Sequence, residues 1–299
     1  MDFKKIFRIL AAVLLVLSAG FSLAGCGAAE QDKSAAAAGK AGSPLAVRML
    51  DIGQGDAFLL EKDGQFVMID SGDIDHRDEL VKLLHRYGVK EISKVIITHP
   101  HADHLGGMAA VFKNFKVGAV YDDGTATTTG SYRNYLKTIK TKKIPYQSLK
   151  AGDRVELFSG VSFDVLGPVS EIRDSKGKPD LNNNSIVGRL SYGSFSVLFT
   201  GDAEKEEESA ILKHGGNIRS DILKSGHHGS RTSSSDAWLK AASPKAALIS
   251  CGQGNSYGHP HKTVLNRYEK ARMEVYRTDR DGTVTVTSDG KSYEITKEH

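Results

Sequence analysis

The chain has 299 residues, with 40 basic and 36 acidic side chains, a net charge of +4, and 39% hydrophobic and 25% charged residues. That composition excludes a disordered or collagen-like chain, and so small a charge does not by itself argue for a nucleic-acid-binding surface. Only two cysteines are present, Cys26 and Cys251, which excludes a disulfide framework inside the folded part.

Residues 1–25 place Lys4, Lys5 and Arg8 ahead of an apolar run from Ile9 to Ala24 that ends in small residues, the layout of a signal peptide. The border Leu23-Ala24-Gly25-Cys26 resembles a bacterial lipobox. The resemblance implies cleavage before Cys26 and a lipid on its thiol, hence an extracytoplasmic protein anchored to the bacterial cell membrane; an ordinary secretory cut nearby, or a short membrane anchor, is the alternative. Residues 26–44, mostly Ala, Gly and Ser, read as a flexible tether. This leaves 45–299 for the folded part, enough for a sizeable core. No apolar run after residue 25 reaches the roughly 20 residues needed to span a bilayer, which excludes a polytopic membrane protein.

Leu45–Leu50 and Ala57–Glu61 read as strands around the loop Asp51-Ile-Gly-Gln-Gly-Asp56, and Phe66–Ile69 as a short strand ending at Asp70-Ser-Gly72. Asp78–Tyr87 has helical spacing, with Leu80, Leu83, Leu84 and Tyr87 on one face and Gly88 closing it. A β-branched strand over Ser93–Thr98 precedes a helix over Leu105–Phe115. Arg154–Leu157 and Ser162–Leu166 read as paired strands, and Ser185–Tyr192 with Ser196–Thr200 as a hairpin across Gly193-Ser194. A helix over Ala203–His214, strands over Asp221–Lys224 and Ala246–Ser250, a helix over Lys262–Ala271 and strands over Thr283–Thr287 and Ser292–Ile295 complete the pattern. Strands followed by helices, roughly twice over, fit two sheets packed together with helices outside.

Seven of the 11 histidines fall into three short loops, 99/101/104, 227/228 and 259/261. Core histidines would be scattered. The densest loop, Thr98-His-Pro-His-Ala-Asp-His-Leu-Gly-Gly107, follows a buried-type strand and precedes a helix. Imidazoles and a carboxylate converging on one loop suit zinc or another first-row metal, and two pairs aimed differently suit two ions.

His-x-His-x-Asp-His after a strand resembles the metallo-β-lactamase superfamily. Phe199-Thr-Gly-Asp202 resembles that family's strand ending in a metal-bridging Asp, and Lys224-Ser-Gly-His-His-Gly-Ser230 its late histidine loop. Asp51–Asp56, Asn182-Asn-Asn-Ser185, Gly226–Ser230 and Tyr257-Gly-His-Pro-His261 are similar to the soluble hydrolase domain of ComEC-type DNA-uptake proteins. The resemblance implies an α/β, four-layer αββα sandwich over 45–299. It implies one ion on His99 and His101, a second on Asp103, His104 and His227, and Asp202 bridging them. His228 competes with His227, which is the favoured ligand. Between His104 and Asp202 there is no histidine, where the family usually supplies a third one to the first ion. Water, or Asn184 and Ser185, would fill in there. Zn²⁺ is the favoured metal and Mn²⁺ the rival.

Around this centre, Asp56 and Asp70 are expected to orient ligand histidines, or else to cap turns. Lys224 belongs to the late histidine loop. Ser230, Arg231 and the hydroxyls that follow read as an anion cradle, or simply as helix capping. His259 and His261 are placed at the rim, with His261 hydrogen-bonding a phosphoryl oxygen or protonating the leaving group; Asp103 and His261 are thus the catalytic candidates. Arg133, Lys137 and Lys140 share a helical face flanked by Tyr132 and Tyr135, which could track a nucleic-acid strand or be a solvated face.

A divalent metal lowers the pKa of its bound water to about 7 and so supplies hydroxide at neutral pH. Two ions, offset by Asp103, Asp202 and a hydroxide, leave a site near +1, suited to a singly charged phosphodiester. The function expected is therefore that of a metal-dependent phosphodiesterase or nuclease outside the cytoplasmic membrane. The alternatives are a small-molecule hydrolase (phosphorylcholine-type esterase, lactonase or lactamase) and a non-catalytic binding module.

The reading of the N-terminal border predicts that mature protein starts at a lipidated Cys26 and that Cys26→Ser yields a soluble or uncleaved form. Intact-mass analysis of the membrane fraction checks this; an unmodified Cys26 there would overturn it.

Overall fold

The computed structural model describes residues 43–299; the signal segment, Cys26 and nearly all of the tether lie outside the described residues. The elements, in chain order, are β1 (Leu45–Met49), β2 (Phe58–Lys62), β3 (Gln65–Ile69), α1 (Arg77–Arg86), β4 (Glu91–Ile96), α2 (Ala102–Leu105), α3 (Met108–Asn114), β5 (Lys116–Asp122), α4 (Gly130–Lys142), β6 (Tyr146–Ser148), β7 (Arg154–Phe158) and β8 (Val161–Gly167). They continue with β9 (Val187–Tyr192), β10 (Phe195–Phe199), α5 (Lys205–His214), β11 (Ile222–Lys224), α6 (Asp236–Ala242), β12 (Ala246–Ile249), α7 (Lys262–Lys270), β13 (Glu274–Arg277), α8 (Thr278–Asp281), β14 (Val284–Ser288) and β15 (Tyr293–Lys297).

Alternation along the strands builds the layers. In β2 and β3, Phe58, Leu60, Val67 and Ile69 point into a core shared with the second sheet, while Leu59, Phe66 and Met68 point to the helices outside. The first sheet has eight strands in the order β15-β14-β1-β2-β3-β4-β5-β6, and the second has seven, β13-β12-β11-β10-β9-β8-β7. Leu157, Phe163, Leu190, Val197 and Phe199 supply the second sheet's half of the shared core. Helices α1, α3 and α4 cover the outer face of the first sheet through Leu83, Val111 and Ile139. Helices α5, α6 and α7 cover the second through Ile211, Trp238 and Tyr268. The result is the four-layer αββα sandwich. Among the described residues no helix is long and apolar enough to cross a membrane.

Within each sheet a parallel block, β3-β4-β5-β6 and β10-β11-β12-β13, follows the antiparallel strands. Asp70 follows β3, the histidine loop follows β4, Asp202 follows β10 and His227-His228 follow β11. The carboxyl ends of parallel strands are where open α/β sheets carry their ligands, and here both sheets deliver those ends to one place.

Three departures from the sequence reading have local causes. The helix read over Leu105–Phe115 is two helices, α2 and α3, separated by Gly106-Gly107. A Cβ on Gly107 would lie 2.0 Å from the carbonyl oxygen of Ser71, so glycine there lets the histidine loop seat against the Asp70–Gly72 turn. Strands β5, β6 and β13 and helix α6 escaped the pattern reading because they are short or partly exposed. Tyr132 and Tyr135 are buried in the α4 packing face, and the Tyr135 hydroxyl donates to Asp122. Arg133, Lys137 and Lys140 are exposed with no aromatic partner from this pair, which is the pattern of a solvated face.

Gly107→Ala is predicted to destabilise the protein by about 1–3 kcal/mol through overpacking; urea denaturation of the two proteins checks it.

Candidate metal centre

Four side chains close one half of the site. Ligand atoms of Asp103, His104, Asp202 and His228 all lie within 4.8 Å of one another. His104 Nε2 is 3.2 Å from Asp202 Oδ1, and His228 Nε2 is 3.2 Å from Asp103 Oδ2 and 3.6 Å from Asp202 Oδ2. His104 Nε2, His228 Nε2 and Asp202 Oδ1 are buried without a hydrogen-bond partner. Orphaned buried acceptors and imidazole nitrogens are costly, and three facing one another are a donor set that a divalent cation satisfies.

The backs of these rings are fixed. Asp70, itself at φ 58°, accepts the Thr98 backbone N–H at 2.7 Å and the Thr98 hydroxyl at 2.7 Å, and its Oδ2 lies 2.8 Å from His104 Nδ1. His228 Nδ1 is 3.0 Å from the Ser250 carbonyl and 3.4 Å from Asp56 Oδ1. A carboxylate or carbonyl behind an imidazole fixes the tautomer and turns Nε2 toward a metal. Asp56 is held in turn by the buried Lys224 ammonium, whose Nζ also donates to the Gly201 carbonyl at 2.7 Å and stands 3.7 Å from Asp202 Oδ1. The loop carrying Asp56 reaches this position because Gly55, at φ +129°, lies against the Asp103 carbonyl, where a Cβ would come within 2.4 Å.

The other half lies across Asp202. His99 Nε2 is 2.9 Å from His101 Nδ1 and 3.8 Å from Asp202 Oδ2. His227 approaches the same carboxylate oxygen at 3.6 Å. Asp202 therefore faces both groups.

The electrostatics follow from burial and neighbours. Burial, reinforced by the charge of His104, holds His99 well below its ordinary range, leaving a neutral imidazole. Burial also works against the His104 imidazolium, but Asp202, Asp70 and Asp103 overrule it and push its pKa well up. Against the same burial, Asp202 and Asp56 push His228 up to about 10. Burial alone would raise Asp202; His104 and His228 instead hold it well below the usual carboxylate range. His259 is pushed down to about 4 by burial and by His228 and His227.

A cavity of about 260 Å³ opens onto the centre, bounded by His101, Asp103, Asp202, His227 and His228 on its floor and by Gln54, Asn182, Tyr257 and His259 on its walls. The tertiary arrangement sorts the residues read from the sequence. His99, His101, Asp103, His104 and Asp202 come together, with Asp56, Asp70 and Lys224 behind them. At the late loop it is His228 that stands in the four-residue group, while His227 lies outside it with Nε2 3.6 Å from Asp202 Oδ2. Asn184 does not turn to the centre: its side chain accepts from Ile172 N and donates to the Ile172 and Asp180 carbonyls. Ser185 spends its hydroxyl on the Asp202 backbone N–H at 3.1 Å. Ser230 pairs with Thr232, and Ser235 caps α6 by accepting from Trp238 N, so this stretch braces the loop, while Arg231 points to solvent. His259, not His261, lines the cavity; His261 accepts the Arg231 backbone N–H through Nδ1. Sequence reasoning missed Glu204, two residues after Asp202, and the exposed Tyr257, whose ring stacks on His259 with centroids 5.6 Å apart.

Comparison with known proteins agrees with this architecture. Residues 50–253 match the family model described as the metallo-beta-lactamase superfamily. The chain is 30% identical over 256 residues to ComE operon protein 3 of Bacillus subtilis (strain 168), covering 80% of this chain and 32% of that protein. It is 33% identical over 239 residues to competence protein ComA of Neisseria gonorrhoeae, covering 79% of this chain and 31% of that one. The chain thus spans about a third of the length of these curated relatives. Among solved structures, the metallo-beta-lactamase fold protein YhfI from Bacillus subtilis superposes with a TM-score of 0.55 at 12% identity, over 81% of this chain and 99% of that one.

Asp70→Asn puts an amide where two carboxylate oxygens accept from Thr98 and His104. Metal affinity is expected to fall about 10–100-fold, read by competition with a chelating dye while far-UV circular dichroism stays unchanged.

Proposed function

Since this chain belongs to the metallo-beta-lactamase superfamily, we propose that it is a two-metal hydrolase of phosphodiesters, a nucleic acid strand foremost. The observation that carries this reading is the group Asp103, His104, Asp202 and His228, whose ligand atoms lie within 4.8 Å of one another with His104 Nε2, His228 Nε2 and Asp202 Oδ1 buried and unpartnered, while His99 Nε2 stands 3.8 Å from the other oxygen of the same carboxylate. His99, His101 and Asp202 would hold one divalent ion, Zn²⁺ before Mn²⁺, and Asp103, His104, Asp202 and His228 the other. Two such ions supply Lewis-acid polarisation of a phosphoryl oxygen and an activated water for its hydrolysis.

The chain's own groups do the rest. Asp70 and the Ser250 carbonyl keep His104 and His228 aimed inward. Lys224 neutralises Asp56, so the carboxylates left facing the cavity are Asp103 and Asp202. Two dications against two carboxylates leave an excess of positive charge, which favours a singly charged diester. His259, neutral at pH 7, offers an imidazole to a phosphoryl or leaving-group oxygen from the cavity wall. The stacked Tyr257 gives a flat apolar surface at the mouth on which a nucleobase can lie. Likeness to relatives named for competence supports a nucleic acid as substrate. The Leu23-Ala24-Gly25-Cys26 border supports action outside the cytoplasmic membrane, on a lipid anchor.

The test is hydrolysis of single-stranded DNA, RNA, bis-nitrophenyl phosphate and nitrophenyl phosphate in Zn²⁺, Mn²⁺ and Mg²⁺. Diester turnover is expected to exceed monoester turnover, and Asp103→Asn and Asp202→Asn are expected to lower it to background. Monoester preference, or turnover unchanged in Asp202→Asn, would overturn the proposal.

A further inference from the structure

His227 stands outside the four-residue group, and its surroundings give it a direction. It lies in the turn Gly226–Gly229, where both His227 (φ 47°, ψ 51°) and His228 (φ 53°, ψ 24°) adopt the left-handed conformation. For residues with a Cβ this conformation is strained and persists only where the surroundings over-determine it. The turn sends the two rings apart, with planes at 69° and centroids 6.1 Å from each other. His228 goes to Asp103. His227 Nε2 comes within 3.6 Å of Asp202 Oδ2, the oxygen that faces His99 Nε2 at 3.8 Å and that His228 Nε2 reaches at 3.6 Å from the Asp103 side.

The far side of the His227 ring is held as well. Its Nδ1 is 3.0 Å from Glu204 Oε1, and the Thr232 hydroxyl donates to that same oxygen at 2.9 Å. An ionised carboxylate only accepts, so Nδ1 carries the hydrogen. Nε2 is then the ring nitrogen left to face the Asp202 carboxylate, at 3.6 Å, too far for a direct hydrogen bond. The segment read from the sequence as filling this position cannot do so, since the Asn184 side chain is consumed by Ile172 and Asp180.

We propose that His227 is the third histidine of the His99–His101–Asp202 group, supplied after the shared aspartate instead of before it. Glu204 is the positioning residue that fixes its tautomer and aim. This rests on the metal-hydrolase reading and adds a ligand to it.

The experiment is titration of the full chain with Co²⁺, followed by calorimetry and visible absorption, for wild type, His227→Ala, Glu204→Ala and Glu204→Gln. Wild type is expected to take up two ions. His227→Ala should weaken one step and change the cobalt absorption of that step alone. Glu204→Ala should weaken the same step about 10–100-fold. Glu204→Gln, which keeps an acceptor oxygen for Nδ1, should recover part of the loss. Thermal melting of the metal-free variants should match wild type, separating ligand loss from damage to the fold. If His227→Ala binds both ions as wild type does, His227 is instead an imidazolium spanning Glu204 and Asp202, and the inference fails. Equal weakening of both steps in His227→Ala also overturns it, because the residue then acts through Asp202. A Glu204→Ala titration that matches wild type removes Glu204 from the assignment. A wild-type chain that takes up no metal would bring down the proposed function itself, and this inference with it.

Discussion

The carboxylate of Asp202 is the group on which the site converges. It leaves β10 of the second sheet, yet every imidazole it faces at the histidine loop comes from the end of β4 in the first sheet. A carboxylate this buried is stable only with compensating charge, and in the metal-free protein His104, His228 and Lys224 supply it from both sides of the seam. The two sheets are thus joined at their carboxyl ends by electrostatics as well as by the apolar core between them.

Buried charge has to be matched group by group. Lys224 and Asp56 lie within the protein, with side chains 1% and 2% exposed, and each is the other's main partner. Removing one member of such a pair strands the other and costs about 3–5 kcal/mol. Backbone conformation is stressed in the same region: Asp70, His227 and His228 all have positive φ. Strain of this kind gathers where side chains must be aimed rather than merely packed. The glycines beside it, Gly55 and Gly107, let backbone segments approach to distances that a Cβ would forbid.

Around this rigid floor the walls are of a different character. Gln54, His259 and Tyr257 arrive on loops and Asn182 on a single 3-10 turn, and Tyr257 is 64% exposed. The charged floor and the aromatic and amide rim are thus built by different parts of the fold, the floor at the carboxyl ends of the strands and the rim on the segments around them.

The sequence by itself determined the layer pattern and most of the centre. Alternating apolar strands such as Phe66–Ile69 and amphipathic helices such as Asp78–Tyr87 carry their periodicity locally. The metal-type residues cluster in stretches of six or fewer positions, so His99, His101, Asp103, His104 and Asp202 could be read from spacing and resemblance. What only the tertiary structure decided are the choices between neighbours. Whether His227 or His228 joins Asp103 depends on two left-handed φ angles, which no composition encodes. Whether Asn184 faces metal or loop depends on where Ile172 and Asp180 stand, a dozen and four residues away. His259 lines the cavity in place of His261 because His261 is the N-cap of α7 and is tied to Arg231. Glu204 meets His227, at 3.0 Å, only because the turn after β11 brings the two together. Spacing identifies which side chains can reach a site, but their direction is set by backbone torsions and by the partners that claim their other polar atoms, and those come from distant parts of the chain.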